Sequence, residues 1–247
     1  MNEQTFRRGE FVWRELMTSQ PAAIEAFYGG LLGWTFGDSG MPGMKYLLAS
    51  AGGTMVAGIM ERPAEVPVSC WVSYVSVADV DAVLARAAAQ GGRVLWGPAD
   101  VPGVGRMATL ADDQGAVFAL FDSSSGDGPR AERAAHGEFC WETLSTHDAG
   151  RARAFYTSVL PWTQVDDGMP MYVAQGGPVA DIESASPGQP ASWLTHVAVT
   201  SLDESRAKVE SLGGSIVLPE RAIPGVGRLS LITDPDGALL SIFEASR

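Results

Sequence analysis

The sequence predicts an α+β fold made of four βαβββ modules, two in each half of the chain. The first observation is a long internal repeat, in which residues 9–34 match residues 137–162 without a gap. The second is that two later segments also recur. The matched pairs are GEFVWRELMTSQPAAIEAFYGGLLGW with GEFCWETLSTHDAGRARAFYTSVLPW, WVSYVSVADVD with WLTHVAVTSLD, and PGVGRMATLADDQGAVFALF with PGVGRLSLITDPDGALLSIF.

The repeat divides the chain into two homologous domains, 1–122 and 136–247. Between them lies segment 123–135, which is rich in Ser, Gly and charged residues and shows no hydrophobic periodicity. We therefore interpret this segment as an exposed linker.

Each domain repeats the same order of elements. In the first domain, alternating residue types predict a strand over Glu10–Met17, and apolar residues at helical spacing predict a helix over Pro21–Leu31 with Ser19 as its N-cap. The remaining predicted elements are strands near Trp34, Lys45–Leu48, Met55–Ile59 and 69–77, a helix over 79–90, and strands near 93–95, 105–110 and 116–121. This is β-α-β-β-β used twice.

Composition excludes several classes of partner. The 247 residues are 46% hydrophobic and 19% charged, which is typical of a globular protein, and no apolar run is long enough to span a membrane. The first residues, MNEQTFRRGEFVW, lack the apolar stretch of a secretory signal, so we expect a cytoplasmic protein. The net charge of −12 would repel nucleic acid and anionic membranes. The two cysteines lie in strand-like segments, which favours buried thiols in a reducing cytoplasm.

The motifs AFYGGLLGW and AFYTSVLPW, with GVGR followed by D-x-x-G in each half, resemble the vicinal oxygen chelate superfamily. This group includes glyoxalase I, extradiol dioxygenases, and bleomycin and fosfomycin resistance proteins. The resemblance implies two domains with curved, cup-like mixed sheets. It also implies a divalent metal that polarises substrate oxygens, held by His, Gln or Glu from the first strand of one module and the first and last strands of a following module.

The positions that match the familial metal ligands do not carry ligand side chains. They fall on Trp13, near Val72 and on Ala119 in the first half, and on Trp141, near Leu194 and on Ser241 in the second. None of these six residues holds a metal ion strongly. A slip of two residues in the alignment would instead bring in Glu15 or Thr143, Tyr74 or His196, and Val117 or Leu239. We therefore expect no cofactor, because the familial metal site is lost.

Three other polar residues are the catalytic candidates. His196 should point away from the helices, opposite Val197 and Val199, and could act as a general base or as a hydrogen-bond donor to a ligand carbonyl. Glu15 should share a face with Trp13, and Asp181 stands where the first half has Gly58. Either carboxylate near His196 would form an acid–base pair. The alternatives are a satisfied, partly buried imidazole and hydrated carboxylates at strand ends.

Aromatic residues are the main candidates for ligand binding. Trp13 and Trp141 would convert the coordination site into an apolar floor, Tyr46 and Tyr172 should occupy matched places in the third strands, and Tyr74 is the counterpart of His196. Plain filling of the core is the competing interpretation. Arg228 could bind an anionic ligand group, although an arginine repeated in both halves is more often structural, here through the acidic D-x-x-G turn.

Two functions from different classes fit this pattern. The first is a metal-independent enzyme, a glyoxalase-like lyase or isomerase or a hydroxylase-type enzyme, acting on a small hydrophobic, aromatic or carbonyl compound. The second is a non-catalytic protein that sequesters such a compound, as bleomycin resistance proteins do. A scaffold without a ligand is a third, weaker interpretation. In each case, the chain would be a monomer by internal pairing of its domains, or a homodimer.

Overall fold

The computed structural model describes residues 5–41, 43–166 and 169–246. Within these ranges, the chain forms sixteen strands and four α-helices, in an order that repeats βαβββ four times. This order confirms the predicted α+β fold.

The first half contains modules 1 and 2. Their elements are β1 (Phe11–Thr18), α1 (Pro21–Leu32), β2 (Thr35–Asp38), β3 (Tyr46–Ala51), β4 (Thr54–Glu61), β5 (Cys70–Ser76), α2 (Val80–Ala89), β6 (Arg93–Val101), β7 (Gly105–Ala111) and β8 (Val117–Ser123). The main departure from the predicted elements is β6, which continues well beyond the segment 93–95.

The second half contains modules 3 and 4. Their elements are β9 (Phe139–Thr146), α3 (Ala149–Val159), β10 (Thr163–Asp166), β11 (Pro170–Ala174), β12 (Gly177–Ser184), β13 (Ser192–Ala198), α4 (Leu202–Val209), β14 (Ser215–Ile223), β15 (Gly227–Thr233) and β16 (Leu239–Ala245). In the described part of the chain, no helix is long and apolar enough to cross a membrane.

The strands form two eight-stranded sheets, one from each half. The strand orders are β2-β3-β4-β1-β5-β8-β7-β6 and β10-β11-β12-β9-β13-β16-β15-β14. Within every module the first and last strands pair in parallel. The strands that follow the helix pair with one another in antiparallel orientation. The sheets are therefore mixed, as predicted, because each helix connects strands through a crossover.

The hydrophobic cores group the modules differently from the repeat. Contacts divide the chain into two compact units: unit 1 (Met1–Val12, Val72–Ala131, Glu142–Trp193) and unit 2 (Trp13–Trp71, Glu132–Trp141, Leu194–Arg247). In unit 1, α2 of module 2 packs on α3 of module 3. In unit 2, α1 of module 1 packs on α4 of module 4. Each sheet is therefore formed by one predicted half of the chain, whereas each hydrophobic core contains modules from both halves. The domain boundaries 1–122 and 136–247 stay a prediction.

The tyrosine of each Phe-Tyr motif belongs to a buried chain of hydrogen bonds. In unit 2, the Tyr28 hydroxyl accepts from Trp71 Nε1 at 3.0 Å and donates to the Asp234 carboxylate at 3.1 Å. In unit 1, the equivalent residues are Trp193, Tyr156 and Asp112, at 2.9 and 3.0 Å. The Phe-Tyr and D-x-x-G motifs that suggested the family therefore hold two modules together.

The glycine and the tryptophan at the two ends of the long repeat also have a structural role. In unit 1, Trp162 Nε1 donates to the Gly9 carbonyl at 2.6 Å, and in unit 2, Trp34 Nε1 donates to the Gly137 carbonyl at 2.8 Å. The closing tryptophan of each copy thus binds the opening glycine of the other copy.

The predicted N-cap of α1 is wrong. The helix starts at Pro21, and Gln20 precedes it without a side-chain cap. The Ser19 amide and hydroxyl donate instead to Asp236, which also accepts from the hydroxyl of Thr18. Burial raises the pKa of Asp236, but these hydrogen bonds, with one from Ser69, outweigh burial and lower it. The D-x-x-G turn of module 4 therefore supplies the acceptor at the start of α1.

Candidate functional site

Side chains alternate between two faces of each sheet, one of which packs on the helices. Leu16 and Leu47 belong to the core of unit 2, so the residues that alternate with them face the other way. Those residues include Trp13, Glu15 and Tyr46. The prediction that Trp13 and Glu15 share a face is confirmed by this arrangement.

Glu15, Tyr46 and Trp13 form a hydrogen-bonded chain on this face. The Tyr46 hydroxyl donates to Glu15 Oε2 at 2.9 Å and accepts from Trp13 Nε1 at 3.1 Å. Glu15 is only 7% exposed. Burial, and then the charge of Glu15, raise the pKa of Tyr46, so the phenol stays protonated and keeps donating to the carboxylate. These hydrogen bonds hold Oε2 of Glu15 in a fixed orientation.

Gly58 makes this arrangement sterically possible. Its Cα pairs with that of Glu15 across β4 and β1, and a Cβ atom at Gly58 would overlap the Tyr46 hydroxyl oxygen. The ring of Tyr46 therefore crosses β4 over the glycine to reach Glu15 on β1. Sequence reasoning did not assign a role to Gly58, although its replacement by Asp181 in the second half was visible.

The second half places its carboxylate on the other strand of the equivalent pair. Asp181 on β12 pairs with Thr143 on β9, as Gly58 pairs with Glu15. The Thr143 hydroxyl donates to Asp181 Oδ1 at 2.5 Å, and both residues are buried. Each half thus has one carboxylate, bonded to a hydroxyl, at the same place in its sheet.

The predicted match between Tyr46 and Tyr172 is wrong. Tyr172 pairs with Ala180, the counterpart of Ala57, and Ala57 pairs with Ala49. Tyr172 therefore takes the place of Ala49 and points into the core of unit 1, where it packs against Tyr156 and Trp162. Its hydroxyl has no hydrogen-bond partner among the described residues, and its position does not support the predicted role in ligand binding.

His196 lies opposite Val197, which belongs to the core of unit 2, and this confirms the predicted face. Its Cα pairs with that of Ser241 across β13 and β16. Burial, followed by the charge of Arg221, lowers the pKa of His196 from 6.5 to about 3. The imidazole is therefore neutral near pH 7, which makes it a weak general base and favours the predicted role as a hydrogen-bonding group.

The depressed pKa of His196 predicts a loss of stability in acid. In the unfolded chain the imidazole binds a proton below about pH 6.5, whereas in the folded protein it does so only below about pH 3. The contribution of His196 to the free energy of unfolding is therefore complete above about pH 6.5 and falls as the pH drops from 6.5 to 3. The slope from this one group is at most about 1.4 kcal/mol per pH unit. Urea unfolding between these pH values should show a shallower decline for His196→Gln than for the wild type. The exposed residue His147 offers the control His147→Gln, and equal slopes for the two variants would contradict the prediction.

The predicted acid–base pair of Glu15 or Asp181 with His196 stays a prediction. Glu15 lies in the first sheet and His196 in the second, and the charge that acts on His196 is that of Arg221. Asp181 lies in the second sheet with Thr143 as its hydrogen-bond partner.

Arg228 is committed to surface ion pairs on the helix side. It lies 2.8 Å from Asp203 of α4 and 2.9 Å from Glu244 of β16. The predicted partner, the D-x-x-G turn, is therefore wrong, because the carboxylates that Arg228 contacts lie on α4, β14 and β16. This position gives no support to ligand binding by Arg228.

Tyr74 begins a row of residues across four strands of unit 1. The register places Tyr74 beside Ala119, Ala119 beside Thr109, and Thr109 beside Trp96. This row faces away from the core, because Val75, Leu110 and Phe118 point into it. Trp96 is 50% exposed. Tyr74, Ala119 and Thr109 are buried, so the exposed indole of Trp96 is the part of the row that a planar ligand could contact. Sequence reasoning missed Trp96 because it ended the strand at residue 95.

Trp141 is half-buried on β9, on the same face as Thr143. In the equivalent place of module 1, Trp13 donates to Tyr46. Both tryptophans stand where the resemblance places the first metal ligand. Apolar lining by these two residues stays a prediction.

Comparison with known proteins assigns the family. The model of the glyoxalase/bleomycin resistance protein/dioxygenase superfamily matches residues 10–120. CFP32 of Mycobacterium tuberculosis (strain CDC 1551 / Oshkosh), named as an inferred glyoxylase, is 31% identical, over 97% of this chain and 96% of its own. The chain belongs to this superfamily. The anthracycline biosynthesis protein DauV of Streptomyces sp. (strain C5) is 30% identical over 97% of this chain and 94% of its own.

Solved structures of the superfamily share the fold. The Mn(II)-bound glyoxalase of Novosphingobium aromaticivorans aligns with a TM-score of 0.65 at 17% identity, over 96% of this chain and 82% of its own. The 2,3-dioxygenase LapB of Pseudomonas sp. KL28 aligns with a TM-score of 0.65 at 13% identity, over 99% of this chain and 94% of its own. At such identities the likeness shows the fold alone.

The residues at the familial metal positions do not fit a divalent ion. Trp13, Trp141 and Ser241 offer an indole, a second indole and a hydroxyl, which are poor metal ligands beside imidazole and carboxylate. Among the residues that the structure describes, no group of three or more His, Cys, Asp or Glu side chains could hold a metal ion.

Proposed function

We propose that this protein is an enzyme that moves a proton on a small molecule with a carbonyl or aromatic group, as a glyoxalase-like lyase or isomerase. The observation that carries the proposal is the chain Glu15–Tyr46–Trp13, which places a buried, oriented carboxylate on the sheet face that the superfamily uses for its ligands. A carboxylate in such surroundings is suited to general acid–base catalysis.

In the proposed reaction, Glu15 accepts a proton from the carbon next to the substrate carbonyl. When that carbon carries a hydroxyl group, the C–H bond breaks and its electron pair forms an enediolate. The hydroxyl proton passes to the former carbonyl oxygen, and Glu15 returns its proton to the former carbonyl carbon. The product is an isomer with the carbonyl group on the neighbouring carbon and the same net charge. Tyr46 does not react. It holds the carboxylate through its hydrogen bond, and Trp13 holds Tyr46. The names of the relatives support this class of substrate, since one is a glyoxylase by name and another serves the synthesis of an aromatic compound.

The test is deuterium exchange into 2-hydroxyacetophenone, an aromatic compound with acidic hydrogens next to a carbonyl. We expect the protein in D2O to accelerate exchange at this carbon, measured by proton NMR, above the rate in buffer. Tyr46→Phe should reduce the acceleration about tenfold, because the carboxylate loses its orienting donor. Tyr172→Phe is the matched control, since the Tyr172 hydroxyl has no partner among the described residues. Exchange no faster than in buffer would contradict the proposal.

Sequestration of a planar compound is the second candidate function. The row from Tyr74 to Trp96 favours it, because an exposed indole beside small side chains can stack on a flat ligand without any catalytic group. A hydroxylated anthraquinone is a suitable probe. Quenching of tryptophan fluorescence that is lost in Trp96→Ala, with no exchange of 2-hydroxyacetophenone by the wild type, would favour sequestration over catalysis.

A further inference from the structure

A cleft of about 430 Å³ opens in unit 1, beside the place where α2 meets the end of α3. Its walls come from the turn between β5 and α2, from one face of α2, and from the last residues of α3 and the turn that follows. This volume falls within the range of roughly 300–1,000 Å³ that is usual for small-molecule sites. All residues that line the cleft belong to unit 1, whereas Glu15, Tyr46 and Trp13 belong to unit 2. The cleft is therefore a different site from the one proposed for the reaction.

Apolar side chains form most of the wall of the cleft. Ala78 and Pro161 are exposed, and Ala82, in the first turn of α2, is partly exposed. Val83 and Leu160 are nearly buried and connect the cleft to the core of unit 1. Apolar surface in a concave place offers a ligand a contact that excludes water. The cleft therefore suits an apolar group, and the small alanine side chains leave room for a ring.

The charged residues of the lining are two arginines and one aspartate. Arg8 forms an ion pair with Asp122 at 2.9 Å, and Asp79 is committed to capping the N-terminus of α2. Arg86 forms no ion pair with the described residues, and its Nε and Nη2 donate to the Val159 carbonyl at 3.2 and 3.0 Å. These bonds hold the guanidinium at the end of α3 and leave its positive charge without a counterion.

The corresponding positions of unit 2 carry a different combination of side chains. The repeat aligns α2 with α4, so that Ala82 corresponds to Glu204 and Arg86 to Lys208. Glu204 adds a carboxylate where unit 1 has a methyl group, and it lies four residues before Lys208, a spacing at which the two charges offset each other on a helix. The combination of an apolar wall with a cation that has no counterion is thus specific to unit 1.

We propose that this cleft binds a small hydrophobic carboxylate. Its apolar part lies against Ala78, Ala82 and Pro161, and its carboxylate pairs with Arg86. A guanidinium binds a carboxylate through charge-assisted hydrogen bonds, and the apolar part adds affinity because it leaves water. Since the protein carries a net charge of −12, an anion needs such a local cation in order to approach the surface.

The test compares 6-fluoro-2-naphthoate with 6-fluoro-2-naphthamide, which have the same ring and differ in charge. Binding of each compound to the full chain is measured by fluorine NMR at low salt. We expect the carboxylate to bind more tightly, and Arg86→Gln to weaken it about fivefold while leaving the amide unchanged. Arg86→Lys keeps the charge and should retain most of the preference. Ala82→Glu, which copies unit 2, should weaken the carboxylate more than the amide, because the added charge repels it.

Lys208→Gln is the matched control, because it removes the corresponding charge from an exposed position of α4. The preference for the carboxylate should be unchanged in this variant. Equal affinity of the wild type for the two compounds, or an unchanged preference in both Arg86→Gln and Ala82→Glu, would overturn the proposal. A preference that is lost in Lys208→Gln and kept in Arg86→Gln would also overturn it, because the carboxylate would then bind in unit 2.

Discussion

Glu15→Gln is expected to reduce the proposed proton exchange by at least about a hundredfold, the usual contribution of a positioned general base. Glutamine has the size and shape of glutamate, and its carbonyl oxygen can still accept the hydrogen bond from Tyr46. The substitution therefore removes the basicity and keeps the packing. The rate of deuterium incorporation into 2-hydroxyacetophenone, measured as for the wild type, checks the expectation.

Asp181→Asn is the control for this experiment, because it makes the same chemical change at the carboxylate of the corresponding strand pair in the second sheet. We expect the exchange that depends on Glu15 to persist in this variant. If Asp181→Asn abolished exchange while Glu15→Gln retained it, the assignment of the base to the first sheet would be wrong. Unfolding curves of both variants should accompany the rates, so that a loss of folded protein is not mistaken for a loss of catalysis.

Trp162→Ala is expected to lower the free energy of unfolding by about 4 kcal/mol, within the range measured for large buried aromatic residues. The indole of Trp162 is 3% exposed, its centroid lies 5.7 Å from that of Tyr156 in a stacked arrangement, and its N–H donates to Gly9. The substitution opens a cavity and leaves the Gly9 carbonyl without its donor. Urea unfolding followed by far-UV circular dichroism measures the difference.

Trp96→Ala is the matched control, because it removes the same type of side chain from a position that is 50% exposed. Its effect on the free energy of unfolding should stay within about 0.5 kcal/mol. Equal losses for the two variants would contradict the view that the closing tryptophan of the repeat holds the opening glycine of the other copy.

The elements of the fold could be predicted because repetition and periodicity are local signals. Helices and strands of the first half start and end within a few residues of the predicted positions, except β6, whose second part contains Gly97 and Pro98 and lacks a simple alternation. The pairing of the cores could not be predicted. Apolar periodicity shows that the helix faces of the modules are buried, but not which module covers which.

The sequence predicted on which face of the sheet each candidate residue lies, but not which residue it contacts. The period of two placed Glu15 with Trp13 and His196 opposite Val197, because it depends on the strand alone. The match of Tyr46 with Tyr172 failed because the segment before the third strand is shorter in the second half, between Asp166 and Pro170, than in the first, between Asp38 and Tyr46. This difference changes which residue of the third strand pairs with the second strand. Contacts such as that of Tyr46 with Glu15 also need Gly58, whose lack of a side chain gives no periodic signal.

The reciprocal bonds between tryptophan and glycine make the two copies of the repeat interdependent. Neither copy, 1–122 or 136–247, contains a complete hydrophobic core, because each core contains one helix from each copy. A gene that encoded one copy alone would yield a chain with two bare apolar layers, which a second identical copy would have to cover. Fusion of the copies fixes their ratio at one to one and frees each to change a single polar residue without altering its twin, as the exchange of glycine and aspartate at positions 58 and 181 illustrates.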